Sequence, residues 1–303
     1  MSQPSLVTAE SPIVASGQKP AEPPIESVVR PSKSLFDFDW AGIWNYRDLI
    51  FLLVRRDFIS KYRQTILGPA WFVFQPLVTT LLFVLVFNRV AKISTDGLPP
   101  TLFYLTGLIT WNYFNTAFSS ISGCLLANAG VFGKVYFPRL IPPIASSVSA
   151  MFSVAIQLVT WVVVYLVVKS TYESPDSFGV TFFSPLVLLL ILQTGILSIG
   201  FGLIMATATA KYRDLTFTTG FLLQAWLYLT PVIYPISRIP EQWRWVASLN
   251  PMTAIVEGSR EVLLGRSALT VEMMAISLAI TVISFVVGVV IFNRIQKTFV
   301  DIL

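Results

Sequence analysis

The sequence predicts an all-α integral membrane protein with six transmembrane helices. Three observations carry the prediction. Of 303 residues, 54% are hydrophobic and only 12% charged, with a mean hydropathy of +0.71, whereas a soluble domain carries about 25% charge. Six apolar runs reach, or nearly reach, the roughly 20 residues that a helix needs to cross a bilayer core. Lys and Arg are spread unevenly over the connections, the asymmetry that sets membrane orientation.

The runs are 67–90, 101–122, 140–168, 182–210, 215–234 and 270–292. The first five hold one charge between them, Arg89, at the end of the first; the sixth holds Glu272 near its start. With the N-terminus cytoplasmic, fourteen of the 21 Lys and Arg fall on that side and seven on the other. Both termini are therefore expected inside. The densest excess, Arg55 to Arg63, precedes the first run. The net charge of +5 reads as a topology signal, and no nucleic-acid partner is expected.

Met1 to Ser34 is rich in Pro, Ser, Ala and Glu and carries no signal-peptide pattern. Residues 1–40 are expected to form a disordered cytoplasmic tail. Segment 41–66 holds the apolar stretch Leu49–Val54, too short to span, then Arg55, Arg56, Asp57, Lys61 and Arg63. It is expected to lie at the inner interface as an amphipathic helix, although Leu49–Val54 is apolar all round. The spanning region is 67–297, followed by a cytoplasmic C-terminus, 298–303.

Two connections differ from plain linkers. Asn128 to Pro143, NAGVFGKVYFPRLIPP, mixes Phe132, Tyr136 and Phe137 with Lys134 and Arg139, and its prolines limit any helix. A simple connector has no use for exposed aromatics, so a short helix presented to a partner is expected there. Thr230 to Gly265 follows the fifth run. Pro231 and Pro235 break the preceding helix. Asn250-Pro251 reads as an N-cap with proline at the first helical position, and Gly265 as a helix end. Helices over 240–249 and 251–264 are too short to span at 1.5 Å per residue. They read as a re-entrant hairpin in the outer leaflet, an outer gate over 238–266, with Trp243, Trp245, Glu257 and Arg260 as gate residues. Glu257 and Arg260, three apart, are read either as a surface ion pair or as a latch on an outer mouth.

Absences narrow the function. There is no His, which removes a His-based catalytic site and the commonest metal ligand. The single Cys124 rules out an intramolecular disulfide and reads as a small buried apolar residue. No phosphate-cradling GxxxxGK[ST] is present: Asn128 stands where the first glycine would, and Val135 follows Gly133-Lys134. No run has a charge near its middle, where ion-coupled transporters keep one. No cofactor or metal is expected on this chain, and energy for uphill movement would enter from another polypeptide. Trp71, Phe74, Trp111, Tyr113, Phe114, Trp226 and Tyr228 offer flat apolar faces, and Gln75 and Asn112 offer hydrogen bonds. Gln157, Gln193 and Gln224 are further amides of this kind. Such contacts suit a neutral sugar polymer that slides through a passage, although most membrane aromatics serve interfacial belts and packing.

RRDFISKYRQTILGPAWFVFQP, KVYFPRLIPP, KYRDL, TPVIYPIS and LNPMTAIVEGSREVLLG, in this order and spacing, resemble the permease subunit of type-2 ABC exporters. The likeness is to the branch that exports lipid-linked polysaccharides of O-antigen, capsule or teichoic-acid type, and it covers about Tyr46 to Lys297. It implies a homodimeric permease in the bacterial inner membrane, bound to two copies of a nucleotide-binding ATPase subunit that carries ATP and Mg. The ATPase contacts it implies are Phe132, Lys134 and Tyr136, with Lys211, Tyr212, Arg213 and Asp214. Arg55, Arg56, Lys61 and Arg63 would face the lipid pyrophosphate or lipid headgroups. The polymer passage would lie between the two permeases. A permease of the same architecture for a small amphiphile, drug or lipid is the rival reading. A membrane glycosyl- or acyltransferase would need a polar catalytic cluster, for which Glu257, Arg260 and Glu261 are the one dense group.

Overall fold

Long apolar runs build long helices, because in lipid each backbone amide must find its partner within its own segment. The computed structural model describes residues 40–62, 65–128, 130, 137–172, 178–180 and 184–295, all within the unit Leu35–Leu303. Among them the regular structure is helical. The helices are α1 (Trp40–Asn45), α2 (Arg47–Tyr62), α3 (Trp71–Phe83), α4 (Pro100–Ser122), α5 (Cys124–Ala127), α6 (Ile141–Thr171) and α7 (Val187–Lys211). They continue as α8 (Leu215–Leu229), α9 (Glu241–Ser248), α10 (Pro251–Leu264) and α11 (Val271–Ile295). A 3-10 turn, Gly68–Ala70, leads into α3, which passes into a π-helical stretch, Val84–Val90.

Four stretches are long and apolar enough to cross a bilayer: Gly68–Val90, Ile141–Thr171, Ser184–Lys211 and Val271–Ile295. The other two expected spans depart from that pattern for different reasons. Helix α4 has 23 residues, about 35 Å at 1.5 Å each, yet it carries many hydroxyls and amides. Sixteen of its residues are buried, among them Thr106, Thr110 and Ser122, so these hydroxyls meet other helices rather than lipid, while the amides Asn112 and Asn115 are half-buried. Helix α8 has only 15 residues, about 22 Å, because Pro231 stops it early.

Helix α4 is the centre of the bundle, packed by α3, α6, α7, α8 and α10. Helices α7 and α11 pack backbone to backbone. A Cβ on Gly200 would lie 2.6 Å from Phe285 N, and one on Gly288 would run into the Gly200 carbonyl. Lipid tails are as apolar as leucine, so contact between small residues and interhelical hydrogen bonds drive such pairing. Gln193 Nε2 donates to Ser277 Oγ at 2.8 Å, and that hydroxyl donates to Pro251 O at 2.8 Å. Trp161 Nε1 donates to Thr106 Oγ1 at 2.8 Å, tying α6 to α4. Cys124 is buried.

Segment 41–66 is not the single amphipathic helix that was expected. It breaks at Tyr46 between α1 and α2. In α2, Leu53 and Val54 bury against Phe137, Ile141 and Ala145, while Phe51 and Leu52 are exposed beside the exposed Arg55 and Arg56. The apolar residues divide between two faces because Leu49–Val54 is apolar all round: one face serves α6, the other looks away from the protein.

Candidate functional site

Two ends and an exposed flank hold the candidate residues. One end is built by the segment after α8. Pro231 and Pro235 carry no N–H and stop the helix, which leaves the carbonyls of Pro231 and Val232 without helical donors. Arg260, on α10, supplies them. Its Nη1 donates to Pro231 O at 2.7 Å, and its Nη2 donates to Val232 O at 3.0 Å. Nη1 also donates to Glu257 Oε1 at 2.8 Å. The guanidinium carbon lies 3.6 Å from the Phe103 ring centroid on α4, a cation–π contact in a desolvated site. Gly107 makes room for it: a Cβ there would lie 3.0 Å from Arg260 Nη2. Glu257 faces the backbone amides of Ile236 and Ala268 as well. Burial raises the Glu257 pKa and lowers that of Arg260, and each partner's charge opposes the other's shift.

This corrects the reading of Glu257 and Arg260 as a surface pair. Their side chains are 3% and 1% exposed, because α10 is enclosed by α4, α7 and α11, with 12 of its 14 residues buried. Helix α10 therefore sits inside the protein. The caps are as the sequence indicated: Asn250 Oδ1 accepts from Met252 N at 3.1 Å, and Gly265 takes the left-handed conformation at φ 74°. Asn250 also accepts from Trp226 Nε1 at 3.0 Å and donates to Thr230 Oγ1 at 2.9 Å. The motifs TPVIYPIS and LNPMTAIVEGSREVLLG thus hold each other through Asn250 and Arg260. Helix α9 behaves differently, with Trp243 and Trp245 exposed. The four gate candidates do not converge: two tryptophans face outward and one ion pair lies in the core.

At the other end, Lys211, Tyr212, Arg213 and Asp214 form the turn between α7 and α8, and all four are exposed. Lys211 Nζ lies 5.2 Å from the Tyr212 ring centroid. Of the cations before the first span, Arg55 is exposed, and Arg56 pairs with its neighbour Asp57 at 2.9 Å. The side chain of Lys61, together with Arg63, Phe132, Lys134 and Tyr136, lies outside the described residues.

The passage candidates separate into two groups. Trp111, Tyr113 and Phe114 are buried within one chain. Phe114 packs edge-on against Trp226, and Trp226 against Phe201, with centroids 5.0 and 5.2 Å apart. Tyr113 Oη lies 3.4 Å from Ser147 Oγ. Trp111, Tyr113 and Phe114 fill the space between α4, α6, α7 and α8 and offer no face to a passage outside the chain, which corrects their assignment as lining; Trp226 is half-buried. Asn112 is half-buried, and the amides Gln157 and Gln193 are buried. Trp71, Phe74, Gln75 and Tyr228 are exposed, as is Gln224 one turn before Tyr228. Sequence reasoning missed the Arg260 cradle; its signal lay in the prolines of TPVIYP, whose freed carbonyls need donors.

The ABC-2 type transporter family model matches residues 48–264. The chain is 25% identical over 256 residues to the O-antigen export system permease protein RfbA of Klebsiella pneumoniae, covering 84% of this chain and 95% of that one. It is 27% identical over 216 residues to RfbA of Myxococcus xanthus, covering 71% and 79%. With the polysialic acid transport protein KpsM of Escherichia coli the identity is 26% over 215 residues, again covering 71% and 79%.

Proposed function

The chain belongs to the ABC-2 type transporter family, and from that premise we propose that it is the permease of an ATP-driven exporter of a lipid-linked polysaccharide of O-antigen or capsule type. The observation that carries the reading is that its relatives, similar over most of their length, are named for export of O antigen and polysialic acid. The exposed aromatic and amide side chains agree with it, since uncharged flat faces let a sugar chain slide.

In this reading the protein works as a homodimer in the bacterial inner membrane, with both termini cytoplasmic; α4, and α8 together with the turns that extend its run to residue 234, complete six crossings. Two copies of an ATPase subunit bind ATP and Mg. They meet the loop holding Phe132, Lys134 and Tyr136 and the exposed turn Lys211–Asp214. Arg55 and Arg56 stand at the same face, where Arg suits the pyrophosphate of a lipid carrier. The polymer moves between the two permeases along Trp71, Phe74, Gln75, Gln224 and Tyr228. Helices α9 and α10 form the outer rim, and Arg260 fixes α10 so that movement is confined to α9 and its exposed tryptophans.

Depletion of the protein tests this. Lipid-linked glycan should accumulate inside the cell while the surface loses its polysaccharide. A normal surface with altered tolerance to amphiphilic drugs would move the assignment to a small-amphiphile exporter.

A further inference from the structure

A groove of about 710 Å³ opens at the α9–α10 end, outside the Arg260 cradle. Its walls come from the loop after the first span, the end of α8, the 3-10 turn Ile236–Arg238 and α9. Most of the lining is apolar or aromatic, including Trp226, Tyr234, Trp243 and Val246. Two lining residues are cations, Lys92 and Arg238, and no lining residue is a carboxylate. Neither cation's side chain has a hydrogen-bond or ion-pair partner among the described residues.

Both cations are carried on fixed backbone. Lys92 sits at φ 54°, a left-handed conformation that costs a non-glycine residue energy and persists only where its surroundings hold it. The hold is visible: Ala91 N bonds Val86 O at 2.9 Å, Ile93 N bonds Phe87 O at 2.8 Å, and Asn88 Nδ2 donates to Ile93 O at 3.2 Å. The turn carrying Arg238 is held by Arg238 N to Pro235 O at 3.1 Å, and by Ser237 Oγ donating to Asp96 Oδ2 at 2.6 Å.

We propose that this groove binds an anionic phospholipid, its phosphate between Lys92 and Arg238 and its acyl chain along the apolar wall. Charge selects the occupant. A neutral sugar has no need of two unpaired cations, and neither a free anion nor an acidic sugar chain has need of an apolar wall. Trp226, Trp243 and Tyr234 are ring types that settle at headgroup depth. The groove also touches the helix end capped by Asn250, so an occupant would brace α9 against the first span.

The test is native mass spectrometry of the full chain in detergent, titrated with phosphatidylglycerol or with phosphatidylcholine of the same acyl chains. The wild type should retain phosphatidylglycerol in preference. Lys92→Ala with Arg238→Ala should reduce that preference by roughly thirtyfold, the product of two surface cations acting on one anionic headgroup. Lys169→Ala, which removes a cation at the C-terminal end of α6 outside the groove, should leave it unchanged. Both groove cations are exposed, so the double variant should elute and melt as the wild type does. Equal retention of the two lipids, undiminished preference in the double variant, or displacement by millimolar inorganic phosphate would each overturn the proposal.

Discussion

Arg260 Nη1 lies 2.8 Å from Glu257 Oε1, and the two side chains are 1% and 3% exposed. A pair this deep gives up the hydration of both charges, so its net contribution is small, but removal of one partner strands the other. Arg260 does more than pair, since it also serves two carbonyls and stacks on Phe103.

Arg260→Ala should therefore cost about 3–5 kcal/mol, read as a large fall in melting temperature of the detergent-solubilised protein. Arg260→Lys should not restore it, because one ammonium lacks the planar fork that reaches Pro231, Val232 and Glu257 together. The joint change Glu257→Gln and Arg260→Met should be milder than Arg260→Ala alone, since it leaves no unpaired charge.

The α7–α11 contact gives a second prediction. Gly288→Ala should destabilise the bundle, because the added methyl meets the Gly200 carbonyl and backbone cannot yield as a side chain can. Gly220→Ala, where nothing lies within 4 Å, should be neutral or slightly stabilising, since alanine favours helix by up to about 1 kcal/mol. Thermal melting of the two variants side by side decides the matter.

Much of this was legible in the sequence. The lengths of the apolar runs located four spanning stretches, and Asn250-Pro251 and Gly265 marked both ends of α10, because capping is local chemistry. Burial of the Glu257–Arg260 pair was not legible. Charges three apart on a two-faced helix look solvated, and only the packing of α4, α7 and α11 around α10 shows otherwise. The same limit hid the roles of Trp111, Tyr113 and Phe114: an aromatic in an apolar run reads alike whether it meets lipid, a polymer or a neighbouring helix. Leu49–Val54 lacked a periodic pattern, and α2 uses it on two faces.

The division of the aromatics makes a third prediction. Trp71→Ala, Phe74→Ala and Tyr228→Ala should lower polymer transport while leaving melting temperature nearly unchanged, because these side chains are exposed. Phe114→Ala, at 0% exposure, should instead cost about 3–5 kcal/mol of stability. Loss of stability in the first set with none in the second would reverse the assignment.

Coupling supplies a fourth. Phe132→Ala with Lys134→Ala, or Tyr212→Ala with Arg213→Ala, should reduce the capture of the ATPase subunit or separate its hydrolysis from transport. The membrane part should remain folded, since the Lys211–Asp214 turn is exposed. Export at the wild-type rate by these variants would show that the ATPase docks elsewhere.

The most direct measurement is transport itself. The chain and its ATPase subunit would be reconstituted in sealed vesicles with the nucleotide sites outward and a labelled lipid-linked glycan in the outer leaflet. Glycan protected from external glycosidase only when ATP and Mg are added, with protection reduced by Tyr228→Ala, is the predicted result. ATP hydrolysis at the normal rate with the glycan still fully digested would contradict polysaccharide export by this chain.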